Sequence, residues 1–212
     1  MGHSMGGAEV LQFAARGPAD VRSQIRGYLG ESPYLALHPS AQPNRMTVIA
    51  GRMVAKVVPK RQMVQKLDPQ WVSRDETVQK EWAQDPLCHD TGTLEGLAGM
   101  LDRAHELDTG LVVAKEGSFW IGHGDGDRVT SYDASRRWFE SLEVEDKEYK
   151  TYEGWYHKCE IHHQRVQENR FGLRSLVHAE PGEDKITFAN DVADWILARS
   201  NATGAQDTKS KL

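Results

Sequence analysis

Apolar residues mark out the elements along the chain. Over residues 8–16 they fall at Val10, Leu11, Phe13 and Ala14, and Gly17-Pro18 closes the run, which predicts a helix with a glycine–proline stop. Residues 24–29 alternate, with Ile25, Gly27 and Leu29 on one side, and predict a short strand. Ile49, Met53, Val54, Val57 and Val58 recur at helical spacing within 45–66. Residues 67–108 read as helices and loops broken at Asp85-Pro86. Residues 117–122, through Ser118, Phe119, Trp120 and Ile121, predict a short buried strand, and a polar turn follows over 122–128. Tyr132, Trp138, Phe139 and Leu142 predict a helix over 131–142, and 148–152 reads as another short strand. Residues 184–198 form an amphipathic helical pattern through Ile186, Phe188, Val192, Trp195, Ile196 and Leu197. The polar tail over 200–212 reads as disordered. Strands alternating with helices predict a parallel sheet of the α/β class.

Charge refines this picture. Residues 45–66 carry Arg45, Arg52, Lys56, Lys60, Arg61 and Lys66 and no acid, whereas 67–108 are acid-rich. The whole chain of 212 residues has a formal charge of −5, which excludes a protein built around a nucleic-acid footprint. Its length allows one domain, or at most two small ones, around a real core. No apolar run approaches the roughly 20 residues that span a bilayer, and no signal peptide is visible. Cys88 and Cys159 are too few for a disulfide framework, so a reducing, cytoplasmic setting is the expectation. The sequon Asn201-Ala202-Thr203 then reads as chance.

Chemistry first shows at the N-terminus. Met1-Gly2-His3-Ser4-Met5-Gly6-Gly7 fits Gly-x-Ser-x-Gly. That pattern makes a sharp strand-to-helix turn and holds the serine in a strained conformation, with small residues where side chains would collide. The Ser4 hydroxyl would project above the sheet, and the backbone N–H of Met5 could face a developing oxyanion. A serine nucleophile needs a base and a group that orients it. Asp125 and Asp127 lie in the turn after the Phe119-Trp120-Ile121 strand, and His157 follows the strand at 148–152. This gives the order serine, acid, histidine. His162-His163 is a weak metal tract without further ligands and reads as solvated surface.

These segments together resemble the monoacylglycerol lipase family of α/β-hydrolases, also described as serine aminopeptidase-like. Gly-His-Ser-Met-Gly-Gly at 2–7 is similar to its nucleophile elbow, and Asp85-Pro86-Leu87 to a segment of its cap. His-Gly-Asp-Gly-Asp-Arg-Val-Thr at 123–130 is similar to its acid loop, and Tyr-Glu-Gly-Trp-Tyr-His at 152–157 to its histidine loop. The resemblance implies Ser4, Asp127 and His157 as catalytic residues, Asp127 rather than Asp125 because the second aspartate acts in the family. It implies a carboxylic ester hydrolase, with a monoacylglycerol as the leading substrate, no cofactor and no metal. A helical cap insert is expected at about 40–108 of a partial hydrolase domain over 1–199. The basic amphipathic stretch suits a lipid droplet or anionic membrane surface, and equally an ordinary solvated helix.

The sequence also departs from the family. The strands and the His-Gly loop that precede the family's elbow are missing before Ser4, and Met1 reads as an internal codon taken as a start. Residues 159–177 interrupt the resemblance and read as translated intron; a transcript lacking their codons would support that reading, and a tryptic peptide spanning them would oppose it. Two alternatives stay open: a non-catalytic fragment, and a peptidase of the same superfamily. The chain as written is expected to react weakly with a fluorophosphonate, because the elbow lacks its supporting strand and a second oxyanion donor.

Overall fold

A computed structural model describes residues 1–88, 90–157, 181 and 183–200. The elements are β1 (Gly2–His3), α1 (Ser4–Arg16), α2 (Ala19–Arg22), β2 (Tyr28–Glu31), α3 (Arg45–Val57), β3 (Gln62–Val64), α4 (Glu76–Gln84), β4 (Thr91–Thr93), α5 (Leu94–Asp108), β5 (Phe119–Gly124), α6 (Tyr132–Glu140), β6 (Lys147–Tyr152) and α7 (Asp184–Ser200). Four strands form one sheet in the order β1-β2-β5-β6, all parallel. Parallel strands are covered on both faces, and β2 and β5 accordingly are buried along their whole length.

Strand alternation sorts the core into two layers. Tyr28, Phe119 and Ile121 face Leu11 and Ala14 of α1, Leu107 of α5, and Ala134 and Trp138 of α6. Leu29 and Trp120 face the other way, onto Phe188 and Trp195 of α7. The α7 helix is also pinned to β6 by polar contacts, with Tyr152 Oη donating to Asp191 at 2.9 Å and Lys150 Nζ at 3.3 Å from the same carboxylate.

Side-chain caps start four of the described helices. Asn44 accepts from Met46 N–H at the head of α3, Asp75 from Thr77 N–H at α4, Thr93 from Gly96 N–H at α5, and Ser131 from Ala134 N–H at α6. Between β2 and β5 the chain runs through α3, α4, α5 and a two-stranded antiparallel ribbon, β3 with β4.

The structure moves several expected boundaries. The strand expected over 24–29 lies at Tyr28–Glu31, because Gln24 and Ile25 donate backwards to Val21 and Arg22 and close the α2 turn. Stretch 45–66 divides into α3 and β3 rather than continuing as one helix. The strand read over 117–122 starts at Phe119 and runs on to Gly124, so His123 and Gly124 are strand residues rather than part of the turn. Full pairing with β6 carries the strand on, from Phe119↔Lys147 to Gly124↔Tyr152. The expected insertion at 159–177, His162-His163 and the tail from 201 lie outside the described residues.

Candidate active site

Ser4 sits where β1 becomes α1, with φ 51°, a left-handed conformation that costs a non-glycine residue about 1–3 kcal/mol. The turn is tight enough to demand glycine on the strand side. A Cβ on Gly2 would lie 2.2 Å from the carbonyl oxygen of Gly6. One on Gly7 would lie 3.0 Å from both Cα and Cβ of Pro33, in the loop after β2. Gly6 differs: a Cβ there meets nothing within 4 Å among the described residues, so the close approaches fall at Gly2 and Gly7. The Ser4 carbonyl accepts Tyr34 N–H at 2.8 Å, which ties the elbow to the same loop. Met5 lies in the first turn of α1, its side chain half exposed.

Asp127 and His157 are brought together by strand register. Gly124 ends β5 directly opposite Tyr152, the last residue of β6, so the loops that follow leave the sheet at the same level. They pack closely, since a Cβ on Gly124 would be 2.3 Å from the Trp155 carbonyl oxygen. His157 Nδ1 then lies 2.8 Å from Asp127 Oδ2, with both residues 2 % exposed. The other carboxylate oxygen accepts the N–H groups of Val129 at 2.7 Å and Thr130 at 3.0 Å. Thr130 Oγ1 donates to Oδ2 at 2.7 Å. The ring of His3 lies 4.7 Å from that of His157, centroid to centroid, which puts the histidine against the last residue of β1, the one before Ser4.

Burial pushes the Asp127 carboxyl up, but the attraction of His157 and the hydrogen bonds from His123 and His157 outweigh it. The group is held well below the usual carboxylate range. Asp125 has a different place. It is exposed, and its Oδ1 accepts Gly154 N–H at 2.5 Å, fastening the histidine loop to the acid loop.

Three further residues belong to the site, and sequence reasoning passed over them. His123 Nε2 lies 3.1 Å from Asp127 Oδ2, Thr130 closes over the same oxygen, and Ser135 Oγ lies 2.7 Å from His123 Nδ1. The signal was present in His-Gly-Asp-Gly-Asp, yet a histidine between glycines reads as a turn residue until its strand pairing is known. The described residues hold no cluster of three or more His, Cys, Asp or Glu side chains that could bind a metal.

A parallel sheet with a strained serine at a strand-to-helix turn, and an aspartate–histidine pair on the loops after two later strands, defines an α/β-hydrolase. Within that class the chain belongs to the serine aminopeptidase S33 family, whose model matches residues 1–163. It is similar to a Schizosaccharomyces pombe protein provisionally named a monoglyceride lipase, 32% identical over 201 residues, covering 94% of this chain and 47% of that protein. The monoglyceride lipase of Saccharomyces cerevisiae is 28% identical over 204 residues, with 92% of this chain and 58% of the relative covered. The chain therefore spans about half the length of these relatives. Among solved structures, a soluble variant of the Saccharomyces cerevisiae monoglyceride lipase in complex with a substrate analog superposes with a TM-score of 0.76 at 25% identity, over 93% of this chain and 64% of that one.

Proposed function

We propose that the protein hydrolyses carboxylic esters, a monoacylglycerol foremost, through an acyl intermediate on Ser4. The observation that carries this reading is the buried Asp127–His157 pair at 2.8 Å, standing over the strand end that presents the strained Ser4. With Nδ1 committed to Asp127, Nε2 of His157 is the nitrogen left for the Ser4 proton. Ser4 Oγ attacks the ester carbonyl as its proton passes to His157 Nε2. The oxyanion is received by backbone N–H groups at the head of α1, with Met5 N–H the assigned donor. The carbon–oxygen bond to the glycerol breaks, and the alkoxide takes the proton from His157. Water then repeats the sequence on the acyl-enzyme and releases the fatty acid. Asp127, held ionised, stabilises the imidazolium that forms twice in each cycle.

A lipid rather than a peptide substrate is favoured by α3. Met46, Ile49, Met53 and Val57 run along this helix at 71, 52, 66 and 81 % exposure. Arg45, Arg52 and Lys56 flank that stripe, and a helix of this kind suits the surface of an anionic membrane or lipid droplet. No described helix is long and apolar enough to cross a membrane. The test is hydrolysis of a long-chain monoacylglycerol by the native protein, read as fatty acid and glycerol released, against aminoacyl amide substrates. Cleavage of the monoacylglycerol, lost in Ser4→Ala, supports the reading; aminopeptidase activity without lipolysis overturns it.

A further inference from the structure

His123 is fully buried in the middle of the sheet and is not needed for proton transfer, yet both of its ring nitrogens are engaged. Nε2 lies 3.1 Å from Asp127 Oδ2, the same oxygen that receives His157. A carboxylate can only accept, so Nε2 carries the hydrogen and donates it. Nδ1 is then left to accept, and Ser135 Oγ at 2.7 Å is its partner. Tyr149 Oη, 2.8 Å from Ser135 Oγ, completes a chain of donors that runs Tyr149, Ser135, His123, Asp127. Ser135 has a single proton and also lies 2.9 Å from the carbonyl of Tyr132. Were that proton given to the carbonyl, a neutral His123 would be left with Nδ1 facing an oxygen and no hydrogen between them, in a site closed to water, which is the costlier arrangement for the uncharged ring. The ring of Tyr132 packs against the imidazole in a T-shaped pair, with ring centroids 5.7 Å apart.

We propose that His123 is a positioning residue for the Asp127 carboxylate, held in the Nε2–H tautomer by the Tyr149–Ser135 hydroxyl pair. It acts through Asp127 and touches no substrate. Its donor, with Thr130 Oγ1 and the two backbone N–H groups, fixes the carboxylate so that one lone pair of Oδ2 points at His157 Nδ1. A carboxylate free to rotate about its Cβ–Cγ bond would present that lone pair only part of the time.

This inference rests on the hydrolase reading, so its test has one arm independent of activity. The first arm is nitrogen-15 NMR of histidine-labelled native protein, assigned by loss of signal in His123→Gln. His123 is expected protonated at Nε2 and bare at Nδ1. Protonation at Nδ1 with a bare Nε2 facing Asp127 would overturn the assignment. The second arm is kinetic. His123→Phe, which fills the space without a donor, should lower kcat about tenfold with KM unchanged. His123→Gln, whose amide nitrogen can stand in for Nε2–H, should recover most of the loss. Ser135→Ala, which frees the ring to change tautomer, should lower kcat and, by leaving a buried ring nitrogen unpartnered, should also melt several degrees below wild type. Equal kcat in His123→Phe and wild type, both folded by circular dichroism, would overturn the proposal. If the wild-type protein hydrolyses no ester, the hydrolase reading fails, and the tautomer measurement still decides the place of His123.

Discussion

A methyl group on Gly2 would sit 2.2 Å from the Gly6 carbonyl oxygen, whereas one on Gly6 would meet open space among the described residues. The two glycines of the motif are therefore not equivalent. Gly2→Ala should cost several kcal/mol, about 2–4, because backbone must move against backbone at the point where Ser4 is already strained. Gly6→Ala should melt within a few degrees of wild type, and thermal unfolding of the two variants measures the difference. At the acid, Asp127→Asn keeps the shape and loses the charge. Activity should fall about 10⁴-fold, the loss seen for the same change in a comparable triad. The sign of the pH effect on stability follows from the direction of the shift. A carboxyl held low in the folded state contributes stability that is fully present above the unfolded value of about 3.9 and is lost as pH falls through the folded value. Wild-type stability should therefore drop on acidification below about pH 4. Asp127→Asn, measured by urea unfolding across that range, should show a shallower dependence.

At the scale of elements, α7 and α3 are opposites. The α7 helix closes one face of the sheet through Phe188, which is fully buried against Trp120 and Tyr152. Phe188→Ala should cost about 3–5 kcal/mol, seen as a lowered urea midpoint. The α3 helix turns much of its apolar side outward, so Met53→Glu with Val57→Glu should leave the melting temperature near wild type. The same pair should abolish co-sedimentation with vesicles containing phosphatidylserine; undiminished binding would remove the membrane reading. Elements with a strong local signature were legible in the sequence. The amphipathic pattern of α7 and the glycine-flanked serine each carry their physics within a dozen residues. The β3–β4 ribbon was not legible, because its three-residue strands are exposed or half-buried and exist only through each other. The last two residues of β5 were hidden for a related reason, since Gly-His-Gly has turn chemistry and becomes strand only by pairing with Thr151 and Tyr152. The role of His123 could not be read without that pairing, because Ser135 reaches it from α6 and Tyr149 in turn reaches Ser135 from β6.

For the molecule as a whole, parallel strands explain why the site assembles. β1, β5 and β6 all run the same way, so the serine, the acid loop and the histidine loop emerge at one end of the sheet. The residues of the site are far apart in sequence, and sheet order brings them together. The chain belongs to the serine aminopeptidase S33 family and covers about half the length of its relatives. The central claim is that Ser4 is a nucleophile activated through His157 and Asp127. The most direct measurement is fluorophosphonate labelling of the native protein as isolated from cells, rather than of the recombinant 212-residue chain, with the adduct mapped by tandem mass spectrometry. The account predicts one adduct, on the peptide containing Ser4, absent in Ser4→Ala and slowed at least a hundredfold in His157→Ala and Asp127→Asn. Labelling at another serine, or labelling of Ser4 at the wild-type rate in His157→Ala, would contradict it.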